Sequence, residues 1–166
     1  MKKEENDSMR GKGEFYRNIA IEQRRNRRLN ESERALIETI QTLDDRYPHL
    51  LVIVEGKRDL TVLRNLGLKA PIIKTQTKLS RPSLIEKIKT YAGQNGQVLI
   101  LTDFDKRGKE IYRFIEKELE LYGIKNLKRE RGLIRRHMED WTTIEQLVSL
   151  FKRSDAPEVI DPQLRR

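Results

Sequence analysis

Val98-Leu99-Ile100-Leu101-Thr102-Asp103-Phe104-Asp105-Lys106-Arg107-Gly108 is an apolar run that ends in two carboxylates at alternate positions. Side chains of a strand alternate with period two, so a strand ending here sends Asp103 and Asp105 to the same side. Paired carboxylates attract a divalent cation. Gly108, at the start of the helix expected next, lets backbone N–H groups approach a phosphate with no Cβ in the way. Carboxylates, metal and phosphate in one place point to chemistry on a phosphate.

Outward from this stretch the same unit recurs. Leu50-Leu51-Val52-Ile53-Val54 is a continuous apolar run rich in β-branched residues, as expected of a strand buried on both faces of a parallel sheet, and it too ends in an acid, Glu55. Gly56-Lys57-Arg58-Asp59 follows, then Leu60, Leu63 and Leu66 at helical spacing with Gly67 as a stop. Pro71 to Thr75 reads as a short strand, and a helix opened by Pro82 carries Leu84, Ile85, Ile88 and Tyr91 on its buried face. Gln97 to Thr102 is the next strand. Ile111, Phe114, Ile115, Leu119 and Tyr122 form the apolar stripe of the helix after it, which Gly123 ends. This alternation predicts an α/β domain with a mainly parallel sheet and helices on both faces. Sites in such sheets lie at the carboxyl ends of the strands, where Glu55 would meet Asp103 and Asp105.

The flanks are basic. Up to Leu29 charge outweighs hydrophobic periodicity, and the block Arg24-Arg25-Asn26-Arg27-Arg28 is either a solvated arm or a segment lying along phosphates. Asn30 with Glu33 forms a capping-box signature, and Leu36, Ile40, Leu43 and Tyr47 line one stripe of a helix that Pro48 ends. Lys125, Lys128, Arg129, Arg131, Arg135 and Arg136 stand against the single acid Glu130, as a solvated face or as a nucleic-acid contact. Asp140 is the expected cap of a last helix that buries Ile144, Leu147, Val148 and Phe151, with Trp141 at its start. The chain thus divides into a basic arm over 1–29, an N-terminal helix over 30–47, an α/β domain over 48–135, a C-terminal helix over 136–153 packing on it, and a loose tail over 154–166.

The 166 residues allow one ordinary domain with a modest extension. A net charge of +9 favours polyanionic partners. With no cysteine, disulfides, thiolate zinc sites and cysteine nucleophiles are excluded, and any metal site uses oxygen ligands. His49 and His137 do not form a metal-ligand spacing. No apolar segment follows the charged Met1 to Asp7, and Leu50 to Val54 is far too short to span a bilayer, so a soluble, cytoplasmic protein with no membrane partner is expected.

The ordered pair Val54-Glu55-Gly56-Lys57-Arg58-Asp59 and Thr102-Asp103-Phe104-Asp105-Lys106-Arg107-Gly108, each after an apolar strand, resembles the Toprim domain of topoisomerases, bacterial-type primases, recombination mediators and several nucleases. The resemblance covers residues 48 to 135. It is nearest to the small stand-alone Toprim proteins, such as the maturases that trim bacterial 5S ribosomal RNA precursors. It implies a Toprim-like (Rossmann-like) fold and a Mg2+ cofactor, with Mn2+ as a substitute. Glu55 would transfer a proton and share in the metal, Asp103 and Asp105 would be metal ligands, and Asp59 would support them or simply cap its own helix. Gly56, Lys57, Arg58, Lys106, Arg107 and Gly108 are expected to meet phosphates, together with Arg24, Arg25, Arg27, Arg28, Lys128, Arg129, Arg131, Arg135 and Arg136 of the basic flanks. The implied activity is Mg2+-dependent phosphodiester hydrolysis of nucleic acid, structured RNA favoured over DNA. The alternative is a non-catalytic Toprim module that binds nucleic acid or recruits a protein partner in DNA repair or RNA processing. No cysteine-rich zinc module accompanies the domain as in primases.

Overall fold

β1 (Leu50–Val54) is buried along its whole length, as its unbroken apolar run requires. Its side chains divide by parity: Leu50, Val52 and Val54 enter one hydrophobic layer, Leu51 and Ile53 the other. The structure, a computed structural model, describes residues 11–19 and 27–160. Residues 11–19 are helical (α1). Then come α2 (Glu31–Arg46), β1, α3 (Lys57–Asn65), β2 (Ile72–Lys74), α4 (Arg81–Ala92), β3 (Gln97–Ile100), α5 (Lys106–Leu121), β4 (Lys125–Asn126), α6 (Lys128–Met138) and a 3-10 helix over Ile144–Lys152.

The strands form one all-parallel sheet in the order β2-β1-β3-β4. Leu50 to Ile53 register with Gln97 to Ile100. On one face α2, α3, α6 and the 3-10 helix pack Leu36, Ile40, Leu63, Ile134 and Leu147 against Val52 and Leu99. On the other, α4 and α5 pack Ile85, Ile88, Ile115 and Leu119 against Ile53 and Ile100. The protein is therefore a three-layer α/β fold of the Rossmann-like class. The helix after β1 leads to β2 on one side, and the helix after β3 leads to β4 on the other side and the opposite face. The order of winding across the sheet reverses between β1 and β3, the switch point at whose carboxyl ends sheets of this class form a crevice.

Local signals account for the element ends. The capping box of α2 is made, with Asn30 Oδ1 accepting from Glu33 N over 2.8 Å and Glu33 Oε1 accepting from Asn30 N over 3.0 Å. Gly67 follows α3 at a φ of 103°, a conformation that favours glycine. α2 is pinned to α6 by Glu130, which accepts from Arg46 Nη1 and Nη2 at 3.0 and 3.1 Å and from Tyr47 Oη at 2.7 Å. Among the described residues no helix is long and apolar enough to cross a membrane.

The carboxy-terminal part departs from the sequence expectation. The basic run is no single solvated face: it makes β4 and α6, and α6 continues to Met138, through the expected domain boundary at 135. The last helix is a 3-10 helix preceded by Thr143, not Asp140; Gln146 Oε1 accepts from Thr143 N over 3.0 Å. Residues 154–160 are tied down rather than loose. Asp155 Oδ1 accepts from Leu29 N over 2.7 Å, Asp155 Oδ2 accepts from Arg34 over 2.6 Å, and Ile160 N donates to Asn65 over 2.9 Å.

Candidate functional site: a carboxylate pair at the sheet switch point

Glu55 follows β1 and Asp103 follows the extended end of β3, so the parallel register delivers both to the crevice. Leu101 N still donates to Ile53 O over 2.7 Å, which carries the pairing past the strand ends. The first contact beyond it is Asp103 N donating to Glu55 Oε2 over 2.8 Å. Glu55 is buried and Asp103 half-buried. Asp103 Oδ1 accepts from Ile144 N over 2.9 Å, and Phe104 N donates to Thr142 O over 2.6 Å, so the start of the 3-10 helix is docked on this turn.

The electrostatics follow from this crowding. Burial, then the hydrogen bond and charge of Glu55 and the charge of Asp105, push Asp103 up to about 7, against the opposing pull of the Ile144 N–H. Asp59 is raised to about 6 by burial first and by the charges of Asp103 and Glu145, while Gly56 N–H works the other way. Asp59 caps its own helix, its Oδ2 accepting from Gly56 N over 3.0 Å. Glu145, absent from the sequence-based set, stands beside it and pairs with Arg58 at 2.9 Å.

Asp105 is the N-cap of α5, with Oδ1 accepting from Gly108 N over 2.8 Å. Its charge acts on Asp103, but among the described residues no group of three or more Asp, Glu or His side chains is gathered as a metal cage. The donors that do meet are oxygens only, the carboxylate of Glu55 and that of Asp103, which burial and Glu55 push toward its protonated form. That chemistry fits a hard cation such as Mg2+, which binds through one or two carboxylates and completes its shell with water and substrate oxygens.

Gly108 has a packing role of its own. A Cβ on Gly108 would lie 2.0 Å from Asp103 O, and Thr102 Oγ1 donates to Gly108 O over 2.9 Å, so α5 is latched onto the strand end. The amides of Gly56 and Gly108 are both taken by aspartates of their own turns. Lys57, Arg58, Lys106 and Arg107 are exposed at the mouth of the crevice.

The basic flanks divide. Arg131 is buried: its Nη1 donates to Ile100 O and Thr102 O at 2.8 and 2.9 Å, and its guanidinium stands 4.3 Å from the ring centres of Phe104 and Tyr112. It supports the strand end from beneath and cannot meet a phosphate. Burial lowers it to about 10. Arg135 is half-buried and donates to Glu139 O and Trp141 O, while Lys128 pairs with Glu116 and Glu120. Arg129 and Arg136 are exposed. Arg27 is bound to Glu33 at 2.7 Å and Arg28 to Asp155 at 3.5 Å, so both brace the protein's own termini. Arg24 and Arg25 lie outside the described residues.

Fold and site together define an α/β protein with an all-parallel sheet and, at its switch point, a carboxylate pair of which Glu55 is buried and Asp103 half-buried. The chain belongs to the UPF0292 family. It is 37% identical over 135 residues to a UPF0292 protein of Thermococcus gammatolerans, a match spanning 81% of this chain and 95% of that one. A UPF0292 protein of Pyrococcus horikoshii is 42% identical over 105 residues, 61% of this chain and 74% of the relative. One of Methanocaldococcus jannaschii is 35% identical over 101 residues, 59% of this chain and 74% of the relative. No family model matches. A solved protein from Aquifex aeolicus shares the fold with a TM-score of 0.55 at 20% identity, over 66% of this chain and 94% of that one.

Proposed function

We propose that this protein is a Toprim-type, Mg2+-dependent phosphodiesterase that cleaves nucleic acid, with structured RNA favoured over DNA and Mn2+ able to replace Mg2+. The observation that carries this reading is the Glu55–Asp103 contact at the switch point, where acids from two motifs crowd until Asp103 is raised to about 7. Asp103, with Glu55, would hold the cation, and Asp105 would act through its charge and through water. Mg2+ bound there supplies Lewis-acid stabilisation of the charge that develops on a phosphodiester. Glu55, whose Oε2 accepts from Asp103 N, would take the proton of an attacking water. Lys57, Arg58, Lys106 and Arg107 stand at the mouth of the crevice and meet the flanking phosphates.

Purified protein should cleave RNA in the presence of Mg2+, and Glu55→Gln and Asp103→Asn should each lower the rate by at least about 100-fold while the fold persists. Cleavage that survives both changes sinks the reading. A non-hydrolytic module that binds nucleic acid or recruits a partner is favoured by one observation: an oxygen of each carboxylate is already engaged by a backbone N–H. It predicts salt-sensitive binding that persists in Glu55→Gln without any cleavage.

A further inference from the structure

Beside the carboxylate pair, on the β2 side, the loop 75–80 and the first turns of α4 and α5 enclose a groove of about 400 Å3. Thr75, Gln76, Leu79, Arg81, Arg107 and Phe114 line it. It adjoins the crevice at both walls. Gln76 N donates to Glu55 O over 2.8 Å, and a side chain on Gly56 would come within 2.9 Å of Gln76 Oε1. Arg107 stands in the first turn of α5, the helix that Asp105 caps.

The chemistry of the lining is that of a nucleotide site. Lys74-Thr75-Gln76-Thr77-Lys78-Leu79-Ser80-Arg81 carries cations and no acid, and Glu110 is the acid among the lining residues. The Arg81 guanidinium lies 4.8 Å from the centre of the Phe114 ring. Stacking uses the face of a guanidinium and leaves the N–H donors in its plane to an oxyanion. Leu79 is 45% exposed, an apolar side chain presented at the groove. Thr75 Oγ1 is buried without a hydrogen-bond partner among the described residues. The volume is in the range of small-ligand sites, which suits one nucleotide of an unpaired strand and excludes a double helix.

We propose that this groove seats the nucleotide next to the phosphate held at Glu55 and Asp103, with its own phosphate on Arg81 and Arg107 and its base against Leu79 and Phe114. The adjacency to a reacting phosphate rests on the hydrolytic reading above; the preference for an unpaired strand does not.

The test is fluorescence anisotropy of the full chain with a labelled oligouridine and with the matched duplex, in chelator so that no cleavage enters. The single strand should bind more tightly than the duplex. The double variant Arg81→Ala, Arg107→Ala should weaken it about 10- to 100-fold. It should also reduce the slope of log affinity against log salt by roughly 0.7, the value for one phosphate contact on a single strand. Both arginines are exposed, so folding persists, as thermal unfolding verifies. The control Lys87→Ala, Lys117→Ala removes the same charge from exposed positions of α4 and α5 outside the groove and should change affinity by less than about threefold. Equal losses in the two double variants, a preference for duplex, or no binding at low salt each overturns the proposal. Selective loss without any cleavage by wild type supports the groove and rejects hydrolysis. Cleavage by wild type that the groove variant retains in full supports hydrolysis and rejects the groove.

Discussion

Asp103 N donates to Glu55 Oε2 over 2.8 Å, so the side chain of the first acidic motif positions the backbone of the second. Glu55→Gln keeps an oxygen for that N–H and removes the charge. Asp103, raised to about 7 by burial and by Glu55, should therefore titrate lower in the variant by about one unit or more, with the part due to burial remaining. Carbon-detected NMR titration of the metal-free protein measures this. An unchanged Asp103 would show that burial and Asp105 set it without Glu55.

Gly108 is the tightest point of the site, since a Cβ there would lie 2.0 Å from Asp103 O, a backbone atom that moves only with the strand end. Gly108→Ala should cost about 1–3 kcal/mol in urea denaturation. Activity, where present, should fall further than stability explains, because relief of the clash displaces Asp103. A variant with wild-type stability would mean that α5 has room to withdraw.

The acids of the site and those of the periphery shift in opposite directions, which gives stability a limb on each side. Asp59 and Asp103 are raised from 3.8 to about 6 and about 7. Folding favours their protonated forms, so their contribution is complete below pH 3.8 and is lost as pH rises through 6 and 7. Glu33 and Glu130 are also burdened by burial, but Arg27 and Arg153 at the first, and Tyr47 and Arg46 at the second, outweigh it and hold both below 4.5. Their contribution is present above pH 4.5 and lost as pH falls below it. Tm of the metal-free protein should decline on both sides. Asp103→Asn should shrink the upper limb and spare the lower; Glu130→Gln should do the reverse. An upper limb unaltered in Asp103→Asn would assign it to other groups.

The parts of the fold that the sequence discloses are those written in local order. β1 declares itself as an unbroken apolar run, α2 by its capping box, and the convergence of Glu55 with Asp103 follows from two parallel strands ending in acids. What stays hidden is set by tertiary contact. Arg131 looks like its solvated neighbours in the string, and only packing against Phe104 and Tyr112 buries it. Ile144 reaches Asp103 through a backbone N–H, which no side-chain pattern encodes. Gly108 reads as a phosphate-approach glycine because the same residue type serves any close approach of backbone. The 3-10 helix does carry a local signal, since the buried Ile144, Leu147 and Leu150 recur every third residue, the period of such a helix.

Arg131 offers the sharpest separation of site support from site chemistry. Its Nη1 bridges Ile100 O and Thr102 O while the planar guanidinium lies 4.3 Å from the centres of two rings, a stacking that an ammonium cannot reproduce. Arg131→Lys should lose about 1.5–3 kcal/mol in urea denaturation, through a hydrogen bond from a charged donor. Arg131→Met retains apolar volume against Phe104 and Tyr112 but leaves both carbonyls without this donor, so it should be no more stable than Arg131→Lys. The two variants also differ in charge. Asp103 and Glu55 favour the charged form of Arg131, so by reciprocity Arg131 favours the charged form of Asp103. Asp103 should therefore titrate above about 7 in Arg131→Met and stay nearer that value in Arg131→Lys. If Arg131→Met is destabilised with Asp103 unmoved, the arginine acts as a backbone brace alone; if Asp103 rises, it also helps keep the site ionised.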